Sequence, residues 1–297
     1  MIKVFTTQND FAKYRTALGH DSVGIVPTMG NLHEGHISLL KQSIAENTIS
    51  VITIFVNPKQ FGPTEDFDKY PRTLDADLAK ISNLALHLIS SNDKKEIVVF
   101  APKSNEEIYP KGFNTVISVK QVTKKLEGKI RPDHFDGVTT VVYRLFKIIG
   151  AKNAYFGQKD YQQCVVVKKM VYDLGLDIKM NILPIIRNSE GLALSSRNQF
   201  LSTEERTAAL HLPKILKQIE MLIKNKADYK SLIAAELTNE LNEFNKPNEY
   251  KDKWDYLEVL DAKNLEVPNA ETKEVIVIGA LRLRSTRLLD NILVQTL

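Results

Sequence analysis

Four short apolar runs, at 23–26, 51–56, 97–100 and 154–156, alternate with segments whose apolar residues recur every three to four positions, at 37–46, 73–89, 138–149 and 162–174. A strand that is apolar along its whole length must be covered on both faces, and a helix after each strand supplies that cover. A parallel sheet wrapped by helices satisfies both patterns. The chain has 297 residues, 43% of them hydrophobic, enough for one large domain or two moderate ones. In open sheets of this kind ligands bind beyond the carboxyl ends of the strands, where the strand order reverses. A further piece, 115–119, reads as an extra or edge strand.

The pattern changes near Pro184. Ser202 with Glu205 fits a capping box opening a helix over 203–224, which Pro213 should kink. The stretch 224–253 is polar and charged, with helical periodicity at Leu232, Leu237 and Leu241, and 256–260 and 275–281 read as strands of a small antiparallel sheet. The expected boundary lies at Pro184–Ile185, dividing the chain into 1–184 and 185–297. The 40 basic and 36 acidic residues leave +4 without long runs, an ordinary solvated surface and no nucleic-acid footprint. A single cysteine, Cys164, excludes a disulfide framework within one chain and reads as a core residue. No segment approaches a membrane span and the N-terminus lacks a signal pattern, so the expectation is a soluble, cytoplasmic protein with no membrane or nucleic-acid partner.

The richest chemistry sits where the first buried strand meets its helix: Pro27-Thr28-Met29-Gly30-Asn31-Leu32-His33-Glu34-Gly35-His36. A helix N-terminus offers unpaired N–H groups and the positive end of a dipole, a place for phosphate. Gly35 removes a side chain where a phosphate would approach, and His33 and His36, three apart, can share one face and donate hydrogen bonds as charge develops. The plain alternative is a glycine-containing loop with two surface histidines. A zinc site would need a third ligand, and no further His/Cys cluster stands nearby.

Other clusters admit two readings each on local grounds. Gln60, in Asn57-Pro58-Lys59-Gln60-Phe61, ends the second strand and offers both donor and acceptor atoms, or is a polar loop residue. Asp75 and Asp77, after Tyr70-Pro71-Arg72-Thr73, complement a helix dipole or contribute to Mg²⁺. Gly157-Gln158-Lys159-Asp160 suits a nucleotide, or is a helix start capped by Asp160. Leu194-Ser195-Ser196-Arg197-Asn198 can donate to pyrophosphate oxygens, or is a polar turn.

Taken together and in order, these strings resemble the pantothenate synthetase (pantoate–β-alanine ligase) family, within the larger group of nucleotidylyl transferases with an HxGH element. Arg131-Pro132-Asp133-His134-Phe135-Asp136-Gly137-Val138 resembles a further family element, with Asp133 in place of its usual glycine, and Thr286-Arg287-Leu288-Leu289-Asp290-Asn291 resembles a terminal one, read as structural. Aspartate is among the residues that best tolerate φ > 0 if position 133 requires it. The resemblance implies an α/β fold: a Rossmann-like parallel-sheet domain over 1–184 that binds nucleotide and pantoate, and a smaller α+β lid domain over 185–297. It implies ATP-dependent condensation of (R)-pantoate with β-alanine through a pantoyl adenylate, releasing AMP and pyrophosphate, with Mg²⁺ as cofactor and a homodimeric state. Carried over, His36, His33 and Lys159 are catalytic. ATP is held by Met29, Gly30, Asn31, Leu32, His33, Glu34, Gly35 and His36, by Gly157, Gln158, Lys159 and Asp160, and by Ile186, Leu194, Ser195, Ser196 and Arg197. Gln60 and Gln163 bind substrate, and Asp77 is the metal candidate.

Overall fold

The computed structural model describes residues 2–17, 22–63, 65, 67–90, 94–238, 253–284 and 286–296. Leu241 of the expected helical stretch lies outside them. The chain divides into two compact units. One comprises Met1–Gly157 and Gln162–Pro184, the other Gln158–Tyr161 and Ile185–Leu297.

The first unit runs β1 (Lys3–Phe5), α1 (Gln8–Ala17), β2 (Val23–Thr28), α2 (Glu34–Glu46), β3 (Ile49–Ile54), α3 (Leu74–Leu88), β4 (Glu96–Phe100), α4 (Leu126–Ile130), α5 (His134–Ile149), β5 (Asn153–Gly157), α6 (Tyr161–Asp173) and β6 (Lys179–Leu183). The strands form a parallel sheet in the order β1-β4-β3-β2-β5-β6. The order reverses between β2 and β5, which makes their carboxyl ends the switch point. Successive residues of each strand serve opposite faces. Ile25, Val51, Val98, Ala154 and Phe156 join the core beneath α1, α5 and α6, where Phe11, Val138, Val142 and Met170 pack. Val26, Ile52, Val99 and Tyr155 join the opposite core with Leu40, Ile44, Ile81 and Leu84 of α2 and α3. Full burial of each such side chain contributes about 1.5–3 kcal/mol, and two-sided burial is why these strands read as unbroken apolar runs.

The expected strand at 115–119 is not formed. The Ile117 N–H donates to Thr140 Oγ1 at 3.0 Å, and its carbonyl accepts from Thr139 Oγ1. Two threonines of α5 thus satisfy the backbone groups that a neighbouring strand would otherwise take.

The second unit contains α7 (Thr203–Ala209), α8 (His211–Lys224), α9 (Lys230–Thr238), β7 (Lys253–Asp261), β8 (Glu274–Leu283) and β9 (Thr286–Gln295). The strands form an antiparallel sheet in the order β7-β8-β9. Leu212, Ile215, Leu216 and Ile219 of α8, at helical spacing, pack with Val275, Val277 and Leu281 of β8. Ser202 and Glu205 form the capping box of α7. The expected kink is a full break. Pro213 has no N–H for the Ala209 carbonyl and its ring crowds that carbonyl, so α7 ends at Ala209 and α8 restarts one residue later.

Candidate active site

The loop after β2 is gripped by α3. Gly30 (φ 85°) and Asn31 (φ 51°) both take left-handed conformations. The turn aims the Asn31 and Leu32 N–H groups at Asp77, which accepts them at 2.9 and 2.7 Å and also accepts Thr73 Oγ1 at 3.1 Å. One turn further along α3, Lys80 Nζ donates to the Leu32 carbonyl at 2.5 Å. Asp77 is 0% exposed. Three of the roughly four acceptor positions of its carboxylate are taken, and the group is sealed from solvent. Among the described residues no three His, Cys, Asp or Glu side chains are grouped to hold a metal ion. The geometry therefore fits a brace for the loop.

The braced loop delivers the two histidines to the start of α2. His33 is the N-cap, and its Nδ1 accepts the Gly35 N–H at 3.1 Å. His36 Nδ1 accepts the His33 N–H at 3.3 Å, and the ring centroids lie 4.1 Å apart. Because both Nδ1 atoms accept, each neutral ring carries its proton on Nε2 and presents a donor there. A Cβ at Gly35 would sit 2.8 Å from His33 Cε1, so glycine is what lets the His33 ring fold across the first turn.

Gln60 closes a 3₁₀ turn, Pro58–Gln60, after β3. Buried Asn57 orients it. Asn57 Oδ1 accepts from the Lys59 N–H and from Tyr109 OH at 2.8 Å, while its Nδ2 donates to the Gly137 carbonyl and to Gln60 Oε1, both at 3.1 Å. With Oε1 occupied, Gln60 presents its amide nitrogen, which lies 3.1 Å from Met29 Sδ. The turn lies directly against α5: a Cβ at Gly137 would come within 2.1 Å of the Lys59 carbonyl oxygen. From the other side, His134 Nδ1 donates to the Gln60 carbonyl at 2.8 Å. His134 Nε2 accepts Arg131 Nη1 at 3.1 Å, and Arg131 makes a bidentate pair with Glu65 at 2.7 and 2.6 Å. Burial, joined by the Arg131 charge, pushes the His134 pKa down to about 4, so the ring is neutral and keeps this donor–acceptor sense. Burial tends to raise Glu65, but the Arg131 hydrogen bonds and charge outweigh it and hold the carboxyl below its ordinary range. Asp133, before α5, has φ 63°, the conformation that accounts for glycine or aspartate at this position.

Gly157 ends β5 with nothing within 4 Å of where a Cβ would be, leaving open room at the switch point. Gln163 is half-buried on α6. Its neighbour Gln162 is buried and structural, donating to the Val122 and Lys125 carbonyls and accepting the Glu127 N–H.

In the second unit, Gln158–Asp160 forms a 3₁₀ turn with Lys159 Nζ 3.3 Å from Asp160 Oδ1. Ile186 and Leu194 face each other across a short hairpin, the Leu194 N–H donating to the Ile186 carbonyl at 2.9 Å. Ser195 then caps the 3₁₀ helix Ser196–Phe200, its Oγ accepting the Arg197 N–H at 3.3 Å. The site residues named from sequence thus fall in two sets. Met29 to His36, Gln60, Asp77, Gly157 and Gln163 lie in the first unit. Gln158, Lys159, Asp160, Ile186 and Leu194 to Arg197 lie in the second.

Sequence reasoning gave no role of their own to Asn57, Lys80 and Tyr109, and read Asn291 only within a terminal element taken as structural. Asn57 had a usable signal, an asparagine before proline at a strand end, which is where a side chain caps the next turn. Lys80 and Tyr109 act across long sequence separations and left no local pattern.

A parallel sheet reversing between β2 and β5, with paired imidazoles on the helix that follows β2, defines an open α/β protein with its candidate ligand groups at the switch point. Residues 3–293 match the family model described as pantoate-beta-alanine ligase, and the chain belongs to that family. It is 45% identical over 277 residues to the pantothenate synthetase of Acetivibrio thermocellus, covering 92% of each chain. The crystal structure of the pantothenate synthetase from Thermus thermophilus superposes with a TM-score of 0.85 at 36% identity, over 98% of this chain and 99% of that one. The Francisella tularensis pantoate-beta-alanine ligase, complexed with beta-gamma ATP and beta-alanine, superposes with a TM-score of 0.77 at 30% identity, over 99% of this chain and 98% of that one.

Proposed function

We propose that this chain condenses (R)-pantoate with β-alanine to give pantothenate, converting ATP to AMP and pyrophosphate through a pantoyl adenylate. The observation that carries the reading is the histidine pair. Both Nδ1 atoms are tied to the helix start as acceptors, which leaves the donor role of each neutral ring to Nε2. The pantoate carboxylate attacks the α-phosphorus and the bond to the bridging oxygen breaks. Negative charge grows on the departing pyrophosphate, and His33 and His36 stabilise it, with His36 as proton donor. Lys159 and Arg197 offset the repulsion between carboxylate and triphosphate, while Ser195 and Ser196 orient it.

Gln60, whose Oε1 is held by Asn57, donates through its amide nitrogen to pantoate, and Gln163 holds the same substrate. The neutral amine of β-alanine then attacks the acyl carbon and AMP leaves. No covalent enzyme intermediate is needed, and positioning supplies much of the rate. Magnesium enters with the triphosphate as part of the substrate, and no step runs through a protein-held metal. Residues 1–184 bind nucleotide and pantoate, and 185–297 supply the lid groups for the triphosphate. The protein works in the cytoplasm as a homodimer. No helix among the described residues is long and apolar enough to cross a membrane.

The test is pyrophosphate release from ATP, Mg²⁺ and pantoate, with and without β-alanine. A stoichiometric burst without amine that becomes turnover with it supports the adenylate route. Folded protein that binds ATP yet releases no pantoate-dependent pyrophosphate would overturn it.

A further inference from the structure

The segment Gln158–Tyr161 follows a strand of the parallel sheet and precedes the body of a helix on it, yet its contacts place it in the second unit. The side chain that holds it there is Asn291 of β9, 1% exposed. Asn291 Nδ2 donates to the Gln158 and Lys159 carbonyls, both at 3.0 Å, and its Oδ1 accepts Gln158 Nε2 at 3.0 Å. The amide is fully used on the backbone and neighbour of Lys159. Tyr161 OH adds a bond to the Ala262 carbonyl at 2.8 Å.

Behind Asn291 stands Asp290, also 1% exposed. It accepts the Asn291 N–H at 2.7 Å and takes Arg187 as a bidentate partner at 2.5 and 2.8 Å. Arg187 lies in the Ile186–Leu194 hairpin and also donates to the Gly191 carbonyl at 3.0 Å. One dipeptide of β9 therefore joins the turn that carries Lys159 to the hairpin that leads into Ser195, Ser196 and Arg197. Bidentate charge-assisted bonds set angle as well as distance.

We infer that Asn291, backed by Asp290 and Arg187, is a positioning residue for Lys159, setting the ammonium against the triphosphate in the same frame as Arg197. This rests on the proposed ATP-dependent reaction. Asparagine is suited to the place because one nitrogen carries two N–H groups that reach successive carbonyls, which aspartate cannot do. A lysine displaced by about 1 Å loses about 100-fold in rate.

The test measures pantoate-dependent pyrophosphate release, in the presence of β-alanine, by wild-type protein, N291A, K159A and the double variant. N291A should lower kcat by about 10–100-fold with the pantoate KM within twofold of wild type. The double variant should be no slower than K159A alone, because a positioning residue has nothing left to position. Singles whose factors multiply, or an N291A enzyme with wild-type kcat, would overturn the inference. N291S, smaller and still a donor, replaces N291A if the latter does not fold, with the same non-additive pattern expected. If wild-type protein releases no pantoate-dependent pyrophosphate, the ligase reading fails and the clamp is scored on ATP binding by calorimetry. There K159A and N291A must each weaken binding, with no further loss in the double variant, or the clamp fails too.

Discussion

Replacing Asp77 by asparagine separates a brace from a metal ligand. The side chain keeps its shape, but its one remaining oxygen can accept only one of the two loop N–H groups now bound at 2.7 and 2.9 Å. The amide nitrogen then meets the other N–H donor to donor. A buried N–H left unmade costs about 1–3 kcal/mol, and the bond that survives falls from charge-assisted to neutral strength, roughly another 1 kcal/mol. The sum is about 2–4 kcal/mol, which for a unit of this size corresponds to a fall of about 5–15 °C in Tm. Thermal unfolding followed by circular dichroism in EDTA, without nucleotide, reads this term alone. Turnover measured across a magnesium series should show a lower kcat with the half-saturating magnesium concentration within twofold of wild type. An unchanged Tm in EDTA together with a tenfold rise in that concentration would refute the brace and make Asp77 a ligand.

Further expectations concern catalysis, substrate binding and acid stability. His36→Ala should lower the single-turnover adenylation rate by about two to three orders of magnitude while folding survives; near-normal adenylation would remove His36 from the chemistry. Gln163→Ala should weaken pantoate binding far more than ATP binding in equilibrium titrations, and equal losses would contradict its role. His134 titrates near 4 in the folded protein and near 6.5 when unfolded, so between these values the unfolded state binds more protons. Stability should therefore fall on acidification through that window, by at most about 1.4 kcal/mol per pH unit from this group, and level off above pH 7. Urea midpoints for wild type and H134Q across pH 5–8 give the slope, and equal slopes would sink the assignment.

The strands that carry the site were legible because both of their faces are buried. Val23, Ile25 and Val26 of β2, Val51 and Ile52 of β3, and Val98 and Val99 of β4 are all buried, and even the polar Ser50 and Thr53 of β3 lie inside. Short or edge elements were not legible. β1 has three residues and β6 is half-buried, while α1 buries Phe11 and little else. In β9 the buried polar pair Asp290 and Asn291 breaks the apolar pattern, so a ten-residue strand read as a motif of no stated shape. The histidines and Lys159 drew notice as unusual side chains at strand ends, while Gln60 was assigned through the family resemblance. The bracing role of Asp77 was not legible for a physical reason. An acid in the first turn of a helix is ordinarily a dipole partner or an ion ligand, and its actual partners are backbone N–H groups 45 and 46 residues away, which no sequence pattern records.

The clamp on Lys159 also bears on how the protein is made. Asn291 lies 132 residues downstream of the carbonyl it holds. At translation speeds of about 5–20 residues per second, roughly 7–26 s separate the emergence of the lysine from that of its holder. Once β6 has followed, early in that interval, every strand of the parallel sheet has been synthesised, while the lysine turn still lacks its amide. A nascent chain can thus carry all six strands of the parallel sheet while the turn bearing Lys159 still waits for the amide that holds it.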